Sequence, residues 1–65
     1  MATTKLLLVT GEHLEVDGSP DEVAKALENA RRSGPGTLAW LRETVGEERL
    51  GVNPAQVVTV RAGET

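Results

Sequence analysis

A chain of 65 residues with ten acidic and seven basic side chains carries a formal charge of −3, so its overall field repels nucleic acid instead of gathering it. At this size a single apolar core is near its lower limit, and the absence of cysteine removes both disulfides and thiolate metal sites as supplements. Stability is left to good packing or to association with a second chain, which makes a homo-oligomer or a protein partner the first expectation.

Residues 5–10 are rich in Leu and Val. Their longest apolar run, Leu6-Leu7-Leu8-Val9, falls far short of the roughly 20 residues that cross a bilayer. Nothing at the N-terminus resembles a signal peptide, so the expectation is a cytoplasmic protein with no membrane association. Leu6 and Leu8 point one way and Leu7 and Val9 the other, which predicts a strand that is central or covered on both faces. Gly11-Glu12 suits a hairpin turn. Beyond it, Leu14 and Val16 alternate with Glu15 and Asp17 as a half-buried second strand does.

Ser19-Pro20-Asp21-Glu22 is a helix start at every position. Ser19 can accept from the Glu22 N–H, Glu22 can reach back to the Ser19 N–H, Pro20 needs no donor in the first turn, and Asp21 complements the positive end of the dipole. From there Val23, Ala26, Leu27 and Ala30 recur at helical spacing over residues 20–33. The stripe is narrow, and its alanines let the helix lie low on a sheet. Val23 and Leu27 carry the burial, so Leu27→Ala is expected to cost about 2–5 kcal/mol. Arg31 and Arg32 suit the C-terminal end, and Gly34-Pro35-Gly36 stops the helix.

Residues 37–45 admit two readings. As a strand, Leu38, Trp40 and Arg42 share one face while Ala39, Leu41 and Glu43 share the other. As a helix capped by Thr37, Leu38, Leu41 and Val45 form a stripe. The strand is preferred, because Val45-Gly46-Glu47-Glu48 makes a hairpin turn and residues 49–52 are too short and glycine-broken to extend a helix. Asn53-Pro54 then breaks the chain with a turn or a single 3₁₀ turn before the β-branched run Val57-Val58-Thr59-Val60. Gly63, Glu64 and Thr65 are expected to fray.

The segment Val52-Asn53-Pro54-Ala55-Gln56-Val57-Val58-Thr59-Val60 resembles the Asn-Pro turn that leads into the last strand of small bacterial β-rich domains, among them flagellar FlbD-type proteins and short uncharacterised bacterial proteins. The resemblance covers the last third of the chain. It implies an Asn53 cap, a Pro54 turn and buried Val57 and Val60, and it brings no activity with it. A capped helix ahead of the hairpin departs from the flagellar pattern.

Candidate chemistry is sparse. His13 lies between Glu12 and Glu15, but one imidazole and one carboxylate on a shared strand face fall short of the three or four ligands that zinc takes. An exposed hairpin histidine is the simpler account. Asp21/Glu22 and Glu47/Glu48 are adjacent pairs whose members point apart. Gly34-Pro35-Gly36 leaves a helix end instead of opening a phosphate-binding helix start. Neither Ser19 nor Ser33 has a histidine at a readable distance. What remains is Trp40 with Arg42 and Arg49, which a late hairpin sets side by side as a basic and aromatic patch, against the plainer alternative of cross-strand pairing with Glu43, Glu47 and Glu48.

These readings combine into one α+β domain over residues 1–65: an antiparallel sheet in the order ββαβββ, one helix packed on one face, and the other face left partly apolar by Leu7, Val9, Trp40 or Leu41, and Val58. The expected function is a non-enzymatic protein-protein interaction or oligomerisation module with no cofactor, no metal and no catalytic residues. The alternative is nucleic-acid or nucleotide binding through Trp40, Arg42 and Arg49. With no Phe or Tyr beside Trp40, a stacking mechanism has a single platform.

Overall fold

The computed structural model describes residues 2–63. In its first hairpin, β1 (Thr3–Leu8) pairs antiparallel with β2 (His13–Asp17), placing Leu6 opposite Leu14 and Thr4 opposite Val16. The turn falls at Val9-Thr10-Gly11, ahead of the Gly11-Glu12 position expected from sequence. The Gly11 N–H donates to the Leu8 carbonyl at 2.9 Å, the Leu8 N–H donates to the Glu12 carbonyl at 2.9 Å, and Gly11 takes a φ of 93°. That left-handed conformation carries no Cβ penalty in glycine and closes a three-residue hairpin loop.

The helix α1 (Pro20–Arg32) begins as its sequence dictates. The Glu22 N–H donates to Ser19 Oγ at 3.2 Å, and the Ser19 N–H donates to Glu22 Oε1 at 2.9 Å. Two first-turn donors are thereby satisfied reciprocally. At the other end the Ser33 N–H donates to the Asn29 and Ala30 carbonyls at 3.1 and 3.2 Å. Val23, Leu27 and Ala30 form the buried stripe.

Within residues 37–45 the strand reading holds for 39–43, and the turn begins at Thr44. Strand β3 (Ala39–Arg42) pairs antiparallel with β4 (Arg49–Val52), and the ladder continues to Glu43, whose N–H donates to the Glu48 carbonyl at 2.7 Å. Gly46 and Glu47 turn the chain at φ 87° and 55°. A 3₁₀ turn at Pro54–Gln56 follows, with Asn53 Oδ1 accepting from the Ala55 N–H at 2.9 Å, and delivers the chain to β5 (Val57–Ala62). β5 pairs antiparallel with β1, so β1 is central, and a bulge at Leu7/Leu8 shifts the register at the β5 start. Gly63 does not fray: it is buried, and its N–H donates to the Thr3 carbonyl at 3.0 Å. Glu64 and Thr65, also expected to fray, lie outside the described residues.

The fold is α+β in the order ββαβββ, with the antiparallel strands divided into a three-stranded sheet β2-β1-β5 and a two-stranded sheet β3-β4. A single bridge from Val16 to Glu43 joins them, helped by the Thr44 N–H donating to the Glu15 carbonyl at 3.0 Å and Thr44 Oγ1 donating to Asp17 Oδ1 at 3.1 Å. Because Glu43 has the parity of Ala39 and Leu41, the bridge aligns the faces of both sheets. The core face carries Leu6, Val16, Ala39 and Val52, all buried against Val23, Leu27 and Ala30 of α1, with Leu14, Leu41, Leu50, Val57 and Val60 half-buried around them. Thr4 is also fully buried, and its hydroxyl donates to the Gly18 carbonyl at 2.8 Å.

The expected apolar second face does not form; β1 meets its expectation by being the central strand and not by being covered on both sides. Register decides this. Leu7 points outward between His13 and Thr59, and the neighbouring outward positions are Lys5, Glu15 and Arg61. Leu41 turns inward to the core. Val58, at the bulged start of β5 and 56% exposed, lines a groove beside α1 with Ala24 and Leu27. Val57 and Val60 are half-buried, not buried, because β5 is an edge strand.

Candidate functional site

Alternation along β3 places Ala39 in the core and leaves Trp40 and Arg42 on the outer face. Register across the hairpin then sets Trp40 opposite Gly51 and Arg42 opposite Arg49. The three residues singled out in the sequence therefore share one surface. Leu38 joins them just ahead of β3.

Gly51 shapes this surface by what it lacks. A Cβ built there would lie 2.8 Å from Leu38 Cδ1, 3.1 Å from Trp40 Cη2 and 3.2 Å from Trp40 Cζ3. Without one, the leucine and the indole lie down across the backbone of β4. Arg49 covers the indole, with its Cζ 5.4 Å from the ring centroid, a distance at which the guanidinium is attracted to the ring quadrupole. Arg42 is drawn to the turn, its Nη1 lying 3.8 Å from Glu47 Oε1. Of the three acids that offered cross-strand pairing, Glu47 is the one that takes an arginine.

Trp40 nevertheless remains 59% exposed. A large ring held by a glycine shelf below and an arginine alongside loses little freedom when a partner covers it. Leu38 and Gly51 were not legible as site residues in the sequence. The signal for them is the pairing of a tryptophan with a glycine across a hairpin, which requires the register.

The remaining candidates stay apart. His13 is exposed on the outer face of the three-stranded sheet, while Glu15 on that face accepts a hydrogen bond from Thr3 Oγ1 at 2.8 Å. Among the described residues no three His, Asp or Glu side chains converge to hold a metal ion, and no helix is long and apolar enough to cross a membrane. Ser19 and Glu22 are committed to the helix start, and the Ser33 hydroxyl donates to the Asn29 carbonyl at 3.0 Å.

The chain matches no protein-family model, and neither a curated protein nor a solved structure is similar enough to it to count as a match.

Proposed function

We propose that this chain is a non-enzymatic protein-interaction module that engages its partner through Leu38, Trp40, Arg42 and Arg49. The observation that carries the proposal is an exposed tryptophan whose ring edge rests over Gly51, with the Arg49 guanidinium beside the ring. Tryptophan and arginine are the side chains most enriched at the energetic centres of protein interfaces. Charge narrows the partner. Around Trp40 this surface presents Arg42 and Arg49, with Glu47 beside Arg42, in a chain that is acidic as a whole. An apolar partner surface with an acidic rim is complementary to it.

The same charge opposes self-contact of this face, because a two-fold axis would bring the Arg42 and Arg49 of both copies together. A homodimer would instead pair the open edge of β5 or β4. The test is capture from native extract by the immobilised chain, run beside Trp40→Ala and Arg49→Gln. A specific protein retained by the parent and lost with both variants supports the proposal, and equal retention by all three refutes it. Nucleic-acid binding through Trp40, Arg42 and Arg49 is the second reading, favoured by their convergence on one face. It requires salt-dependent oligonucleotide binding that falls in Arg42→Ala and Arg49→Ala, with a change in Trp40 fluorescence.

A further inference from the structure

Two cation pairs face each other directly across strands of the β layer, and they differ in how their repulsion is relieved. Like charges at opposed positions on neighbouring strands are unfavourable. Arg42 and Arg49 are relieved within the chain, the first by Glu47 at 3.8 Å and the second by the Trp40 ring. Lys5 and Arg61 are opposed in the same way across β1 and β5, yet neither forms an ion pair among the described residues. Glu15, directly opposite Lys5 on the β2 side, accepts from the Thr3 hydroxyl through Oε2 and keeps its charge, so it offsets Lys5 across the strand without an ion-pair contact. Arg61, on the edge strand β5, therefore has Lys5 as its one cross-strand neighbour and no acid opposite it.

On the adjoining rung, His13, Leu7 and Thr59 lie side by side. With Lys5, Glu15 and Arg61 they line a shallow depression of about 560 Å³ in the open face of the three-stranded sheet. We infer that this depression binds a phosphate-type oxyanion, presented as inorganic phosphate or as a phosphate monoester. Arg61 offers a planar fork of N–H donors and Lys5 a point charge, the pair that best answers a compact dianion. The Thr59 hydroxyl and the His13 imidazole add donors one rung away. Leu7 between them gives an apolar seat for the carbon side of an ester. Glu15 closes the β2 side with a negative charge, which disfavours a long polyanion lying across the sheet and favours a single small group. This depression belongs to the other sheet from Trp40, so the two proposals fail independently.

The experiment is an amide chemical-shift titration of the ¹⁵N-labelled chain with inorganic phosphate, phenyl phosphate and phosphoserine, each against sodium chloride at equal ionic strength. Saturable shifts centred on Lys5, Leu7, Thr59 and Arg61 are expected with at least one of the phosphates and not with chloride. Lys5→Gln and Arg61→Gln should each weaken binding about tenfold, the scale of one lost charge-assisted hydrogen bond, while Trp40→Ala leaves it unchanged. Both glutamine variants replace exposed side chains and keep the parent urea midpoint or raise it, so a loss of binding is separable from a loss of fold. Tighter binding of phenyl phosphate than of phosphate assigns the site to monoesters, and the reverse assigns it to the free ion. Shifts that do not saturate, that appear equally with chloride, that extend to Arg31 and Arg32, or that keep the parent titration midpoint in Arg61→Gln overturn the inference.

Discussion

Leu6 and Leu7 are identical neighbours on β1, and the fold predicts that truncating them has very different consequences. Leu6 is 0% exposed, at the centre of the core between Leu14 on β2 and Val60 on β5. Leu6→Ala removes its transfer free energy and leaves a cavity that close-packed neighbours cannot fully close, a loss of about 3–5 kcal/mol. A domain of this length has about 3–10 kcal/mol of stability in total, at roughly 0.05–0.15 kcal/mol per residue. The loss is a large share of that total. Leu7 is half-buried on the open face, where water already reaches it. Its truncation creates no closed void and forfeits about half of a leucine's burial, about 1 kcal/mol. Urea unfolding followed by far-ultraviolet circular dichroism is the suitable assay, since it reads the loss of helix and strand directly. Equal losses in the two variants, or a larger loss for Leu7→Ala, would show that the β1 register is wrong.

Ser19→Ala removes the hydroxyl that accepts from the Glu22 N–H and should cost about 1 kcal/mol, read as a lower urea midpoint with an unchanged slope. Thr4→Val keeps the shape of a fully buried side chain but strips the Gly18 carbonyl of its donor, an expected loss of about 1–3 kcal/mol by the same measurement. Gly51→Val forces Leu38 and the Trp40 ring off β4, so Trp40 emission and partner capture should change while stability stays within about 1 kcal/mol, because the displaced atoms are the outer ends of side chains at the surface. An unchanged Trp40 spectrum in that variant would contradict the packing of the indole on the glycine.

Parts of the fold were legible because they depend on local chemistry. The capping box at Ser19, the Val23 and Leu27 stripe, the Asn53-Pro54 turn and the alternation of residues 38–43 are each specified within a few residues of one another. The grouping of Trp40, Arg42 and Arg49 was legible for the same reason, since a hairpin turn near Gly46 places residue 42 opposite 49. The fate of the second sheet face was not legible. Leu6-Leu7-Leu8-Val9 gives no alternation from which to choose an inward side, and the polarity of the face around Leu7 depends on strands that arrive from positions 13–15 and 59–61.

By itself the sequence determined the first hairpin, the helix with its ends and the last strand, because hydrogen-bond capping, proline and glycine geometry and side-chain periodicity act over one or two turns of chain, while residues 37–45 kept two periodicities open. Only the tertiary structure decided that the strands split into two sheets joined at Val16 and Glu43, that Gly51 makes room for Trp40, and that Lys5 stands between Glu15 and Arg61. Those features depend on which distant residues are brought opposite one another. Strand register sets that, and a shift of one residue would send every one of these side chains to the other face.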